Sequence, residues 1–395
     1  MKNILSQRAS ELKPSATLAI SAKEKELKSQ GIDVVGFGAG EPDFPTPAHI
    51  REAAKASLDR GETFYTPVGG TVELKKAVIR RFDEDYGLKY EPDHILVSCG
   101  AKHSLYNIFQ AIIGPGDEVL IPAPYWVSYP EMVCLSGGKP VIVPAEEKNN
   151  FEPDPKLLES LISPNTKAII INSPSNPTGI MYSRKLLEEL AEIAERHDLT
   201  VISDEIYDKL VYDNLTFTPF ASLPGMHKRT VTVNGVSKTY AMTGLRIGYL
   251  ATPIKEIVKA AGNIQSQSTS NPSNPAQAAA VQALIGPQDE VVRMRNIFEN
   301  RRNLMTRLIN EIDGISVPIP QGAFYTFVNT TALNGRDGIK NSTDFAQLLL
   351  DKYHVACVPG GPFGSEDHIR LSFATSDAVI EEGMRRIATA CKDLG

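Results

Sequence analysis

From about residue 90 the chain alternates short β-branched runs with longer stretches of helical period. Residues 95–98 (ILVS) run into Gly100 and an amphipathic stretch over 101–113, and Gly114-Pro115-Gly116-Asp117 then turns the chain into the run 118–121. The runs 168–171, 200–203, 230–233 and 247–250 continue the series, with a charged helical stretch over 183–197 between the first two. Several of these runs are apolar on both faces instead of alternating. That is the pattern of strands covered on both faces, so the series predicts an open, mostly parallel α/β sheet. Near residue 288 the pattern changes. Residues 289–312 read as one long helix without proline or glycine, followed by short strand candidates, a helix near 343–353 and an amphipathic helix over 376–393. This predicts a large domain over 47–288 and a smaller α/β domain made of 15–46 together with 289–395. Residues 1–14 are left as an N-terminal arm, and the prolines at 42, 45 and 47 suit a stiff crossing between domains.

Composition narrows the class. With 395 residues, 42% hydrophobic and 22% charged, the chain has the balance of a globular protein too long for one small core. A net charge of −6 argues against a nucleic-acid surface, and no run reaches the length of a membrane span. The opening twenty residues lack the apolar core and cleavage site of a signal peptide. Cys99, Cys134, Cys357 and Cys391 are scattered, and neither CxxC nor HExxH occurs, so no metal site is expected. A reduced, cytoplasmic setting is the expectation. One motif misleads: Gly36-Phe37-Gly38-Ala39-Gly40 resembles the start of a dinucleotide fingerprint. Glu41 stands where that fingerprint needs its third glycine, and Pro42 and Pro45 prevent the helix that must follow.

Chemistry concentrates at the carboxyl ends of the strand candidates, where open α/β sheets bind ligands. Gly100-Ala101-Lys102 opens a helix after 95–98, offering backbone N–H groups and a positive dipole end to a phosphate. After 168–171 comes Asn172 to Gly179, whose two prolines fix a loop presenting the Asn176 amide. Asp204 and Tyr207 follow 200–203, a carboxylate and a phenol three residues apart. Ser237, Lys238 and Arg246 follow 230–233, two cations with no acidic residue between them. Each feature alone has an ordinary reading as turn, helix cap, core tyrosine or surface lysine. Together they supply what pyridoxal phosphate requires: an amine for a Schiff base, an acid for the ring nitrogen, donors for the ring oxygen, and a phosphate site.

The order NPTG (176–179), SDEIY (203–207), then Ser237-Lys238 with Arg246-Ile247-Gly248 downstream, resembles the class I pyridoxal-phosphate aminotransferases. Within them the likeness is to the bacterial aspartate aminotransferase branch. It is carried by PSAT (14–17), GAGEPDF (38–44), PYWVSYPEM (124–132), GAFY (322–325) and Arg370-Leu371-Ser372-Phe373-Ala374. The resemblance implies the type I pyridoxal-phosphate-dependent transferase fold and a transaminase working on amino acids and 2-oxo acids as a homodimer. It implies that Lys238 binds the cofactor and then moves the proton. Asp204 would pair with the ring nitrogen, Tyr207 and Asn176 with the ring oxygen, and Trp126 would stack on the ring. Gly100, Ala101, Lys102, Ser237 and Arg246 would hold the phosphate, joined by Tyr65 from the neighbouring subunit; a Tyr65 facing inward within one chain is the alternative. Arg370 would grip the substrate α-carboxylate as a planar fork, with Gly40 letting substrate approach the backbone. Lys102, Ser15 and Thr17 would read an acidic side chain, and Lys13 resembles members that also use prephenate. Aspartate and 2-oxoglutarate are the expected pair. A different amino donor, a C–S lyase, a transcription regulator on the same domain and a non-catalytic homologue are the rival readings. The regulator lacks a recognisable helix-turn-helix segment, and the non-catalytic homologue would lack Lys238.

Overall fold

The structure is a computed structural model that describes residues 4–395. Residues 1–3 of the expected N-terminal arm lie outside the described residues, and within the arm Gln7–Glu11 forms a short helix capped by the Ser6 hydroxyl.

Seven strands build the main sheet: β1 (Ile95–Ser98), β2 (Glu118–Pro122), β3 (Lys139–Val143), β4 (Thr166–Asn172), β5 (Thr200–Asp204), β6 (Thr230–Gly235) and β7 (Gly248–Ala251). Their order is β1-β7-β6-β5-β4-β2-β3. The pairs among β2 to β6 are parallel, whereas β7 runs antiparallel to both β6 and β1. The reason is the connection. A parallel return needs a crossover helix, and between β6 and β7 there is only the single helical turn Thr243–Leu245. Successive residues of β4 and β5 enter different cores: Ile169, Ile171 and Val201 pack on one side, and Ala168, Ile170 and Ile202 on the other. This two-sided burial is why the sequence shows unbroken apolar runs.

The longer helices are α1 (Ala16–Ser29), α2 (Ala48–Asp59), α3 (Val72–Tyr86), α4 (Ala101–Ile112), α5 (Arg184–Arg196), α6 (Lys255–Ser268), α7 (Asn274–Ile285), α8 (Asp289–Asn310), α9 (Ser342–Tyr353) and α10 (Asp377–Asp393); α1 and α4 reach the site. A second, antiparallel sheet of β8 (Tyr325–Asn329), β9 (Val358–Pro359) and β10 (His368–Ser372) has the order β9-β10-β8. It packs with Phe298, Met305 and Ile309 of α8 and Ile380, Met384 and Ile387 of α10 into a separate core. Val35 and Phe37 belong to that core, and Val35–Gly36 pairs with Val355–Ala356, so the N-terminal segment is built into the C-terminal part of the chain. Ile206, Tyr207 and Leu210 reach the same core from just beyond β5. The carboxyl ends of β4, β5 and β6 therefore face the second core across a cleft.

Candidate active site

That cleft is a cavity of about 520 Å³. Ser15, Thr17, Gly40, Ala101, Lys102, Trp126, Asn176, Asp204, Tyr207, Ser237, Lys238, Arg246 and Arg370 all line it, although they come from nearly the whole length of the chain. Gly100 sits directly behind, at the mouth of α4.

The phosphate end is built from α4. No side chain caps this helix, and Gly100 at its N-cap has φ +89. That φ strains any residue with a Cβ, and a Cβ there would lie 2.5 Å from Arg246 Nη2, so glycine leaves the guanidinium its place at the helix entrance. Arg246 itself adopts a left-handed backbone (φ 55) and donates from Nη1 to the Thr243 carbonyl at 2.8 Å. A left-handed arginine is held by its surroundings, and here the reward is a cation set beside free helix N–H groups.

Lys238 is half-buried at the centre of the cavity, its ammonium donating to the Gly40 carbonyl. Burial, and then the neighbouring Arg370 cation, push it down to about 8. Asp204 at the end of β5 is buried, and that burial lifts its carboxyl to about 6. The Tyr129 hydroxyl opposes the shift, donating to Asp204 Oδ2 at 2.7 Å, and the Ile206 N–H donates to Oδ1 at 3.3 Å. Tyr207 is buried with its hydroxyl 3.1 Å from that of Tyr325.

At the opposite wall Arg370 is 1% exposed. It donates from Nη2 to the Gly38 carbonyl at 2.9 Å and from Nη1 to Asn176 Oδ1 at 3.0 Å, and its guanidinium lies 4.4 Å from the Tyr325 ring centre. Lys102 holds its ammonium 4.8 Å over the Trp126 ring, and partial burial and Arg246 push its pKa down. The Ser15 and Thr17 hydroxyls meet at 2.9 Å at the start of α1.

Besides Gly100, two expected residues do not line the cavity. Tyr65 is 90% exposed, which excludes the inward-facing alternative within one chain. Lys13 is exposed, with its backbone N–H directed at Glu131. Conversely, sequence reasoning gave no role to Tyr129 or Tyr325, the two phenols that hold Asp204, Tyr207 and Arg370. The only trace of them was their place inside PYWVSYPEM and GAFY.

Residues 32–387 match the family model described as aminotransferase class I and II. The chain belongs to that family. An aspartate aminotransferase of Geobacillus stearothermophilus is 49% identical over 97% of this chain and 98% of its own length. An aspartate/prephenate aminotransferase of Cereibacter sphaeroides is 47% identical over 99% of both. The crystal structure of the aspartate aminotransferase from Rhizobium meliloti superposes with a TM-score of 0.95 at 44% identity, covering 98% of each chain. The fold is thus the type I pyridoxal-phosphate-dependent transferase fold, and the aminotransferase is a pyridoxal-phosphate enzyme.

The residues present fit that cofactor. The uncapped entrance of α4 with Arg246 and Ser237 is a cradle for a phosphate, and Asp204 is a buried carboxylate whose raised pKa asks for a cation. Among the described residues no group of three or more His, Cys, Asp or Glu is placed to hold a metal ion, and no helix is long and apolar enough to cross a membrane.

Proposed function

We propose that this aminotransferase exchanges the amino group of L-aspartate with 2-oxoglutarate, with glutamate as the returning donor. The observation that carries the reading is the placing of two anion sites on one cavity: Arg370, fixed as a fork, and Lys102 with the Ser15 and Thr17 hydroxyls. A dicarboxylate uses both, whereas a neutral amino acid uses only Arg370. The names of the Geobacillus and Rhizobium relatives support the same substrate.

When bound, pyridoxal phosphate supplies an aldehyde for the amino group and a ring that draws electrons from the reacting carbon. This chain's residues do the rest. Lys238 titrates near pH 8, so its Nζ is available both to bind the cofactor and to take up and return a proton. Asp204, held by Tyr129, would keep a negative charge for the ring nitrogen. Tyr207 and Asn176 would serve the ring oxygen, and Trp126 would cover the ring. Gly100, Ala101, Lys102, Ser237 and Arg246 would hold the phosphate, while Arg370 would orient the α-carboxylate beside Gly40.

The working unit in this reading is a homodimer in which Tyr65 reaches the phosphate of the second copy. Phe64 and Tyr65 are 81% and 90% exposed, and Leu58 and Val72 on the flanking helices are exposed as well, apolar side chains that a second copy would cover. Each chain divides into a cofactor-holding part (47–288) and a smaller part (15–46 with 289–395), and the reduced cytoplasm is its setting. The cofactor-loaded enzyme, given one amino acid at a time, tests the substrate: aspartate and glutamate should convert the aldehyde absorbance to that of the amine form far faster than alanine. Faster conversion by alanine would overturn the assignment. Prephenate is a second acceptor worth assaying because of the Cereibacter relative, but it is not favoured over 2-oxoglutarate; Lys13→Thr should lower its use selectively.

A further inference from the structure

The connection between α2 and α3 ends in Phe64-Tyr65-Thr66-Pro67-Val68-Gly69-Gly70, a composition that favours a mobile surface loop. It is instead gripped from behind by two glutamines that are both 0% exposed. Gln277 on α7 donates from Nε2 to the Thr66 hydroxyl at 3.1 Å and to the Pro272 carbonyl at 2.9 Å, and its Oε1 accepts the Thr71 N–H at 2.8 Å. Gln265 on α6 donates to the carbonyls of Val68 (2.7 Å) and Val97 (2.8 Å), and its Oε1 accepts from Ser98 (2.7 Å) and Asn107 (3.1 Å). The Val97 N–H closes the arrangement on the Gly69 carbonyl at 3.0 Å. Gly70, at φ +100, lies so near Val97 that a Cβ would come within 2.6 Å of its side chain.

A buried primary amide is costly unless its hydrogen bonds are made, and here both amides make theirs largely to one exposed loop and the strand beneath it. That strand is β1, whose end at Ser98 leads directly into Gly100 and the cradle on α4. The grip thus sets the loop in fixed register with the phosphate site of its own chain. Packing of α6 and α7 alone would be served by apolar residues.

We propose that Gln265 and Gln277 are positioning residues for the reaction: through Val68 and Thr66 they fix where the Tyr65 hydroxyl stands. The inference rests on the proposed reading of Tyr65 as a phosphate donor to the second copy. Neither glutamine lines the cavity; Gln277 acts through the loop, and Gln265 through the loop together with β1 and Asn107 of α4.

Cofactor affinity tests this separately from turnover. Dissociation constants are measured for pyridoxal phosphate and for pyridoxal, which lacks the phosphate, and their ratio gives the phosphate preference. Tyr65→Phe should lower that preference about tenfold, the loss of one hydrogen bond to a charged acceptor. Thr66→Val removes only the hydroxyl held by Gln277, on a partly exposed residue whose change the fold tolerates. It should lower the preference several-fold with pyridoxal affinity unchanged, Thr66→Ser should restore it, and Thr66→Val should add nothing to Tyr65→Phe. Gln277→Leu should match Thr66→Val if it folds. Wild-type preference in Thr66→Val, alongside a loss in Tyr65→Phe, overturns the positioning role alone. An equal loss of pyridoxal affinity also overturns it, since that marks general loosening. An unchanged preference in Tyr65→Phe overturns the reading of Tyr65 and the inference with it.

Discussion

Replacing Tyr129 by phenylalanine should destabilise the cofactor-free chain more at pH 8 than at pH 5. Asp204 is buried, and its carboxyl titrates at about 6 instead of near 3.9. A group whose folded pKa lies above its unfolded one stabilises the fold below the lower value, and that stability is lost as pH rises through the higher. For Asp204 the window runs from about 4 to about 6 and is worth about 3 kcal/mol. The Tyr129 hydroxyl, 2.7 Å from Oδ2, works against burial because it favours the charged carboxylate over the neutral acid. A hydrogen bond to a charged acceptor exceeds one to a neutral acceptor by roughly 1–1.5 kcal/mol, about one pH unit. Without the hydroxyl, Asp204 should titrate near neutrality, so its loss of stability continues from pH 6 to about pH 7. Urea unfolding of wild type and Tyr129→Phe at pH 5 and pH 8 reads this directly: the variant should lose roughly 1 kcal/mol more at pH 8. In an Asp204→Asn background that pH dependence should vanish. An equal loss at both pH values would mean that Tyr129 only fills space.

The remaining predictions concern catalysis and one further buried acid. Lys238→Ala should lower kcat by at least about a thousandfold, while calorimetry still detects cofactor binding, because the chain then has no amine at the reacting carbon. Arg370→Lys should raise KM for aspartate and alanine alike, by roughly tenfold or more, since a point charge replaces a planar fork. Lys102→Ala should raise KM for aspartate about tenfold and leave alanine unchanged; an equal effect on both would remove Lys102 from side-chain recognition. Glu205, buried beside Asp204 with its carboxyl raised to about 8, is neutral in the fold at pH 7 and loses stability between about pH 4.5 and pH 8. Glu205→Gln should therefore flatten the unfolding free energy across that range, its advantage over wild type growing from pH 5 to pH 8, offset in part because Oε2 has no hydrogen-bond partner to receive the new amide.

What could be read in the sequence follows from how each element is buried. Strands β4 and β5 were legible because both faces are covered at their centres, where Ala168 to Ile171 and Val201-Ile202 are apolar without alternation. Strand β3 was not, since it lies at the sheet edge with Lys139 and Ile142 exposed and Pro140 within it. The orientation of β7 depends on a connection too short for a crossover, which composition does not reveal. Asp204, Tyr207 and Lys238 were legible because they stand at or just past the end of a strand, where a sheet of this kind binds ligands, and Arg246 because it follows Lys238 in the same connection. Tyr129 and Tyr325 were not. They lie 75 and 118 residues from the partners they hold, and a buried tyrosine looks the same in sequence whether or not its hydroxyl is used. The same holds for Gln265 and Gln277, polar positions on helices whose neighbours do not name what they grip.

Charge ties these pieces together. The chain carries a net −6, yet Lys25, Lys102, Lys238, Arg246 and Arg370 line the cavity against only Glu24, Glu41 and Asp204. Two of those acids are engaged locally: Glu24 pairs with Lys28 at 2.6 Å and Glu41 accepts the Thr243 hydroxyl at 2.7 Å. The third, Asp204, is committed to Tyr129 and lies below Lys238. Burial comes first in lowering Lys238 and Lys102, and the neighbouring cations add to it: Arg370 and Arg246 lower Lys238 against Glu41 and Asp204, and Arg246 lowers Lys102. In the proposed reading, a phosphate at α4 and a dicarboxylate between Lys102 and Arg370 would each relieve part of this repulsion. Association of anions would then be favoured twice, by steering into a positive cleft on a negative protein and by relief of repulsion among the cations. A neutral amino acid would gain the contact at Arg370 and leave the repulsion around Lys102 in place, which is the physical argument for a preference for two carboxylates.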